Sequence, residues 1–265
     1  MPFCRVGDLQ VHYRIVGEGP PLVLIMGLSG DLTWWEPLVE ELERDFRLVL
    51  FDNRGSGLTD MPDGKCSIPM LANDTAGLMA CLGIPQAHVF GVSMGGMIAQ
   101  ELVLNYPDRV DRLVLGCTYS GGEGFTMPSA ETVQKMALTR GGTPEEIARQ
   151  TMSILFAPGF MQENPDTIEA MVRRFVDNPT PRKTVTQQLW AAMGHNCHER
   201  LPQIRKQTLL LTGDQDLLVP PQNSETLRAR IPGSRLAYVE EGGHVFFIEA
   251  PKQVARLLKE HLLQN

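Results

Sequence analysis

The chain has 265 residues, of which 43% are hydrophobic and 21% charged, and its formal net charge is −7. These values are typical of a soluble globular enzyme with one large α/β domain, or with a core and an inserted piece. No block of lysine and arginine occurs, so we expect no nucleic-acid partner. The longest apolar runs, such as residues 21–28, are too short for a membrane span, and no signal-peptide core follows the first residues, so we expect a cytoplasmic protein.

The five cysteines are scattered along the chain and lack the spacing of a metal site. They are Cys4, Cys66, Cys81, Cys117 and Cys197. An odd number without a framework pattern indicates reduced thiols in the cytosol.

The first part of the chain alternates between strand and helix patterns. A strand hairpin is predicted over residues 3–16, and buried strands are predicted over 22–26, 46–51, 87–92 and 110–115. Helical spacing predicts helices over residues 35–45, 67–82 and 94–106. This alternation implies a right-handed, mostly parallel sheet flanked by helices.

The alternation stops near residue 119. Helices are predicted over residues 129–139, 144–156, 165–176 and 184–193, with no convincing strand before residue 202. Strands at 208–211 and 236–239, with a helix between them, then resume the sheet, and a last helix covers 252–263. We therefore predict an α/β core of residues 1–118 and 203–265, interrupted by a helical cap of residues 119–202 that acts as a lid.

The pentapeptide Gly91-Val92-Ser93-Met94-Gly95 stands between a predicted strand and a predicted helix. Gly-x-Ser-x-Gly in this setting is the pattern of a nucleophile elbow, a turn so sharp that the serine adopts unusual backbone angles. The small residues on either side let the strand and the helix approach. We predict that Ser93 is a nucleophile for acyl transfer.

A serine nucleophile needs a base and a carboxylate that orients the base. The chain supplies both in the order serine, aspartate, histidine. Asp214 and Asp216 follow one buried strand, and His244 follows the last strand. We predict His244 as the base and Asp216 as the acid, with Asp214 and, more remotely, Glu123 as alternatives.

An oxyanion hole requires two N–H groups aimed at the developing negative charge. The backbone N–H of Met94, directly after the nucleophile, is one candidate. Leu28, in the loop after the first long strand, is the other, because Gly27 lets the backbone come close there. The predicted oxyanion hole is therefore formed by Leu28 and Met94.

With these motifs in order, the chain resembles the α/β-hydrolase superfamily, of the lidded serine esterase and lipase-like kind. The resemblance implies that fold, and it favours Asp216, because the family's acid is usually the second aspartate of such a stretch. Met26 stands where the family often has histidine, which leaves a hole made of backbone N–H groups intact. The resemblance covers residues 1–118 and 203–265 and depends on Met26-Gly27, Asp52-Asn53-Arg54-Gly55-Ser56-Gly57, Gly91–Gly95, Gly213-x-x-Asp216 and Gly243-His244.

The predicted activity is hydrolysis of carboxylic esters of small to medium apolar compounds through an acyl-enzyme, without a metal or organic cofactor. A lactonase, a carbon–carbon bond hydrolase and a cofactor-free perhydrolase or haloperoxidase remain alternatives, as does a non-catalytic ligand-binding receptor. Ser93 excludes epoxide hydrolases and haloalkane dehalogenases, whose chemistry needs a carboxylate nucleophile. Val245 argues mildly against carbon–carbon hydrolases, which tend to have an aromatic residue after the histidine.

Other residues have structural and functional interpretations. Asp52 and Arg54 are best explained as parts of a strand-end turn. His195-Asn196-Cys197-His198 makes a poor tetrahedral set, so we predict a turn at the end of the lid and no metal. The candidate substrate contacts, for which packing is the competing interpretation, are Trp34, Trp35, Met127 and Met193. The expected partner is a small-molecule ester, and a homodimer is left open.

Overall fold

A single sheet organises the computed structural model, which describes residues 2–138 and 141–264. Its strands are β1 (Phe3–Val6), β2 (Leu9–Val16), β3 (Pro21–Ile25), β4 (Arg47–Phe51), β5 (Ala87–Val92), β6 (Val110–Gly116), β7 (Thr208–Gly213) and β8 (Arg235–Val239). They lie in the order β1-β2-β4-β3-β5-β6-β7-β8. The hairpin β1–β2 and the β2–β4 pair are antiparallel, and every later pair is parallel. The predicted mostly parallel α/β sheet is therefore confirmed.

The central strands are buried on both faces. In β3, Leu22 and Leu24 belong to one hydrophobic cluster, whereas Val23 and Ile25 belong to the other. Alternate side chains of a strand point to opposite faces, so a strand covered on both sides needs apolar residues throughout. This explains the continuous apolar runs in the sequence.

The helices follow the predicted order with small shifts at their ends. They are α1 (Glu36–Leu42), α2 (Ile68–Cys81), α3 (Met94–Asn105), α4 (Ala130–Leu138), α5 (Pro144–Leu155), α6 (Pro158–Glu163), α7 (Pro165–Asp177), α8 (Arg182–Met193), α9 (Gln222–Arg230), α10 (Phe246–Glu249) and α11 (Pro251–Leu262). The predicted helix over 35–45 is shorter than expected, because a 3-10 turn over Leu32–Trp35 precedes α1. The short helices α6 and α10 were not predicted, since four to six residues show no clear period.

A side-chain cap starts α5 but not α7. Thr143 accepts a hydrogen bond from the backbone of Glu146, whose side chain bonds back to Thr143, so a capping box starts α5. Asn164 makes no side-chain cap at α7. Its amide donates instead to Phe160 O, at 3.1 Å. The side chain of Asn164 thus stabilises the end of α6 rather than the start of α7.

The prediction of five reduced thiols is wrong. Cys4 of β1 and Cys81 of α2 form a disulfide, while Cys66, Cys117 and Cys197 are free. The two bonded residues are 77 positions apart, and only the packing of α2 against β1 brings them together. Cysteine usage consequently gives no support to a cytosolic location.

The region between β6 and β7 is helical. Its described residues within 119–202 contain α4 to α8 and no strand, and the end of the predicted helix over 129–139 lies outside the described residues. Whether residues 119–202 form a separate cap remains a prediction. Among the residues described, no helix combines the length and apolarity needed to cross a membrane.

Candidate active site

Ser93 occupies a strained turn between β5 and α3. Its backbone angles are φ 55° and ψ −123°, which a residue with a side chain rarely adopts. A methyl group on Gly91 would lie 2.2 Å from Gly95 O, and one on Gly95 would lie 2.1 Å from Ile25 O. Only glycine fits at both positions, so the flanking glycines make this turn possible.

The end of β6 holds this turn in place. Ser93 N donates to Gly116 O at 2.9 Å, and Thr118 Oγ1 donates to Ser93 O at 2.7 Å. Both backbone groups of the strained serine are therefore bound by the neighbouring strand. Strain of this kind persists when the surrounding structure over-determines it.

His244 is hydrogen-bonded to Asp216, and both side chains are buried. His244 Nδ1 lies 2.8 Å from Asp216 Oδ2. The other oxygen of Asp216 accepts from Leu218 N at 2.9 Å and Val219 N at 2.8 Å. These bonds fix the carboxylate and direct its Oδ2 atom at the imidazole, as a base-orienting acid requires.

The two alternative acids lie elsewhere. Asp214 is exposed at the start of the same loop, and Glu123 is exposed in the turn after β6. The geometry thus favours Asp216, although both aspartates follow the same strand. Register along β7 and the turn after it places Asp216 inward and Asp214 outward.

The ionisation of His244 depends on its neighbours. Burial by itself opposes the imidazolium, but Asp216 and Cys117 together outweigh it, and the pKa of His244 is raised well above its ordinary value of 6.5. Cys117 Sγ lies within 4.8 Å of the donor atoms of both residues. Burial raises the pKa of the Cys117 thiol.

Two backbone N–H groups near Ser93 are free to bind an oxyanion. Within the described residues, neither Leu28 N nor Met94 N donates to another protein group. A methyl group on Gly27 would lie 3.5 Å from Ser93 Oγ, so the loop passes directly beside the Ser93 side chain. Asn53 Nδ2 donates to Met26 O at 2.7 Å and anchors that loop. Both predicted donors are thus available beside Ser93.

Glu249 is a partly buried carboxylate that sequence reasoning missed. It accepts from Gly243 N and from Ala157 N, each at 2.6 Å. Burial raises its pKa to about 7, against the effect of these two bonds. It thereby joins the loop of His244 to the segment after α5. In the sequence, only its position five residues after His244 hinted at this role, because the four-residue helix α10 that carries it was not predicted.

The predicted substrate contacts lie in different environments. Trp35 is 0% exposed and packs against Phe90 and Phe247, with ring centroids 5.3 and 4.7 Å away. Trp34 is partly buried under the Arg174 guanidinium, 5.7 Å from the ring centroid. Trp35 therefore has the packing role that we considered for at least one tryptophan.

The two methionines of the same prediction are on the surface. Met127 is 63% exposed and Met193 is 64% exposed. Their contact with substrate remains a prediction. Both residues lie in the helical segment of residues 119–202 between β6 and β7, which we call the inserted helical region.

Asp52 has the structural role predicted for it. One oxygen accepts from Leu32 N at 2.8 Å, and the other lies 2.7 Å from His12 Nδ1 and 2.9 Å from Leu58 N. Arg54 pairs with Asp74 at 2.7 Å. These contacts tie the turn after β4 to its surroundings and use both groups in structural bonds.

A cluster of metal-ligating residue types surrounds His195. The donor atoms of Glu101, His195 and Cys197 lie within 4.8 Å of one another. Arg200 donates to Glu101 at 2.9 and 3.1 Å, and Cys197 Sγ donates to Gln100 Oε1 at 3.1 Å. Glu101 and Cys197 are already paired within the protein, whereas the buried His195 Nε2 has no hydrogen-bond partner in the described part of the chain. We assign no metal here.

Known proteins resemble this chain over nearly its whole length. A putative carbamate hydrolase, RutD, of Azorhizobium caulinodans is 32% identical over 251 residues, covering 95% of this chain and 94% of the relative. A poly(3-hydroxyalkanoate) depolymerase of Ectopseudomonas oleovorans is 30% identical over 249 residues, covering 92% and 85%. The solved structure of the enol-lactonase from Burkholderia xenovorans LB400 is 26% identical, with a TM-score of 0.87 and coverage of 99% and 100%.

The family assignment agrees with the fold and with the geometry around Ser93. Residues 20–251 match the family described as alpha/beta hydrolase fold. The matched range runs from the turn before β3 to the start of α11 and includes the elbow, Asp216 and His244. This chain is therefore a hydrolase that belongs to the alpha/beta hydrolase fold family.

Proposed function

We propose that this protein is a serine hydrolase that cleaves carboxylic esters of small to medium apolar compounds through an acyl-enzyme. The observation that carries the proposal is the 2.8 Å bond between His244 Nδ1 and Asp216 Oδ2, beside a serine in a strained elbow. The free N–H groups of Leu28 and Met94 add the donors that acyl transfer requires.

The first half of the proposed reaction forms the acyl-enzyme. Ser93 Oγ attacks the ester carbonyl while neutral His244 accepts the hydroxyl proton through Nε2. The resulting oxyanion is stabilised by Leu28 N–H and Met94 N–H. Met94 N–H is also the first of α3, so the helix dipole favours negative charge there. His244 then returns the proton to the leaving oxygen, and the alcohol departs.

The second half regenerates the enzyme. A water molecule gives a proton to His244 and attacks the acyl carbonyl of the Ser93 ester, and the same two N–H groups hold the second oxyanion. The bond to Ser93 Oγ breaks as His244 returns the proton to that oxygen. Carboxylic acid leaves, and Asp216 keeps the imidazole in one tautomer throughout.

The relatives suggest neighbouring substrate classes with the same acyl chemistry. A lactone is a cyclic ester, and a carbamate presents a carbonyl to the same nucleophile. The names of an enol-lactonase and of a putative carbamate hydrolase therefore support both classes as second candidates. Val245 follows His244 without an aromatic ring, which keeps carbon–carbon bond hydrolysis behind ester hydrolysis, and perhydrolysis is a further alternative.

The inserted helical region would select among these substrates. We propose that Trp34, Met127 and Met193 contact the apolar part of the substrate, since the two methionines are exposed and methionine adapts to varied shapes. Activity across p-nitrophenyl esters of graded acyl length, with a lactone and a carbamate included, would rank the classes. The expected partner remains a small-molecule ester, and the homodimer and the cytoplasmic location remain predictions.

A fluorophosphonate probe tests the proposal directly. It should label Ser93 in the folded protein, and Ser93→Ala should abolish both labelling and turnover of p-nitrophenyl esters. Ser120→Ala is a matched control, because Ser120 is a buried serine that lies outside the elbow and is hydrogen-bonded to His198. Folded protein in which Ser93 remains unlabelled would overturn the serine-hydrolase proposal.

A further inference from the structure

Gln188 is a fully buried amide of α8 that bonds to the loops beside Ser93. Its side chain is 0% exposed. Gln188 Oε1 accepts from Ser29 N at 2.8 Å, and Nε2 donates to Arg54 O at 3.0 Å and Ser56 Oγ at 3.1 Å. One side chain of the inserted helical region thus forms hydrogen bonds with two separate core loops, the loop after β3 and the loop after β4.

Ser29 is held in an unfavourable conformation by these contacts. Its φ is 63°, in the left-handed region that disfavours residues with a side chain. Ser29 N is bound by Gln188, and Ser29 O accepts from Thr180 Oγ1 at 3.0 Å. Both backbone groups of Ser29 are therefore bound by residues of the inserted region, and the core supplies neither partner.

The conformation of Ser29 sets the direction of its neighbour. Leu28 directly precedes it and carries a proposed oxyanion donor, and within the described residues its N–H bonds to no other backbone group. If Ser29 relaxed to an ordinary conformation, the peptide unit between Leu28 and Ser29 would rotate, and Leu28 would have to change its own backbone angles for the loop to stay closed. The N–H of Leu28, which belongs to the preceding peptide unit, would then leave the position that it needs beside Ser93.

We infer that Gln188 is a positioning residue, through which docking of α8 assembles the oxyanion hole. The inserted region thereby acts on the chemical step as well as on substrate choice. This inference rests on the proposed function, because it gives a role to the oxyanion donors of a serine hydrolase. It also requires both an acceptor and a donor at position 188, which the Gln188 amide supplies to Ser29 N and to Arg54 O.

Gln188→Met tests the inference, because methionine keeps the length of the side chain and removes its hydrogen bonds. Loss of a single oxyanion donor costs on the order of 10²–10³ in kcat, and we expect misplacement to cost about tenfold to a hundredfold. KM for a p-nitrophenyl ester should change by less than about threefold, because the donor acts mainly in the transition state. Gln187→Met is the matched control, since Gln187 bonds to Gly64 O instead.

Ser29→Gly separates positioning from a merely structural role. Glycine adopts the left-handed conformation without penalty, and Ser29 Oγ has no hydrogen-bond partner to lose. In the Ser29→Gly background, the loss of kcat caused by Gln188→Met should be at least about threefold smaller than in the wild type. An equal loss in both backgrounds would overturn the inference, as would full activity of Gln188→Met.

Two further measurements keep the result decisive. If Gln188→Met does not fold, Thr180→Val removes the other bond to Ser29, and its loss of kcat should likewise shrink in the Ser29→Gly background. Labelling of Ser93 by the fluorophosphonate is measured in the wild type first. An unlabelled wild type refutes the proposed function, whereas a labelled wild type with undiminished labelling in the folded Gln188→Met variant refutes this inference alone.

Discussion

The carboxylate of Glu249 accepts a 2.6 Å hydrogen bond from the backbone N–H of Gly243, the residue directly before His244. Its second oxygen binds Ala157 N at 2.6 Å, while His244 N donates to Leu155 O at 2.8 Å. The loop of the proposed base is thereby joined to the inserted helical region. The loop of Leu28 and Ser29 is held by α8, and the loop of His244 is held by the end of α5. Both sides of the proposed site therefore depend on the inserted helical region.

Glu249 should make stability depend on pH. Burial raises the pKa of Glu249 in the folded protein to about 7, above the ordinary value of 4.5. Its contribution to the free energy of unfolding is therefore full below pH 4.5 and is lost as pH rises through about 7. Glu249→Gln removes this dependence, and its Tm relative to wild type should rise between pH 5 and 8. Glu260→Gln, on the exposed side of α11, is the control, and a constant difference would contradict the prediction.

Activity should increase with pH through the ionisation of His244. The base must be neutral, and its pKa is raised above 6.5, so kcat/KM should rise to a plateau with a midpoint above pH 6.5. Asp216→Asn should lower that midpoint and reduce kcat on the order of 10⁴-fold, because the tautomer is no longer held. Asp214→Asn, in the exposed position nearby, should leave the pH profile of kcat/KM unchanged. A shifted profile for Asp214→Asn would contradict the assignment of the acid.

Two glycines near Ser93 should respond differently to alanine. The new methyl group at Gly27 would lie 3.1 Å from Ser93 Cβ and 3.5 Å from Oγ, where a substrate carbonyl must approach. Gly27→Ala should therefore lower kcat/KM at least about tenfold with little change in Tm. Gly95→Ala would place its methyl 2.1 Å from Ile25 O and should lower Tm strongly. Normal turnover by Gly27→Ala would argue against an approach of the carbonyl beside Gly27.

The disulfide between Cys4 and Cys81 should stabilise the fold. Cys4→Ser should lower the free energy of unfolding by about 2–4 kcal/mol, because the bond closes a long loop in the unfolded chain. Denaturant unfolding measures this loss, and a reducing agent should bring the wild type to the level of the variant. Cys66→Ser, at a free thiol, serves as the control. Titration of five thiols in the unreduced, unfolded chain would contradict the bond.

The fold could be predicted because its signals are local. Apolar runs such as residues 22–26 and the glycines around Ser93 report strand burial and turn geometry within a few residues. Very short elements and contacts between distant residues could not be predicted. Helix α10 has only four residues, and the Cys4–Cys81 bond joins positions 77 residues apart. No local pattern identifies partners at that separation.

The sequence by itself determined the parallel α/β core, the elbow at Ser93 and the order in which Asp216 and His244 follow. Periodicity, glycine placement and strand-end position are read from neighbours in the chain, which explains that success. The residue pattern left Asp214 open as an alternative to Asp216, and tertiary structure shows that Asp216 meets His244. Tertiary structure alone decided that Gln188 and Glu249 bind the loops on either side of the site. Such pairings depend on how distant segments pack, because hydrogen bonds between them require a register and an orientation that no single segment encodes.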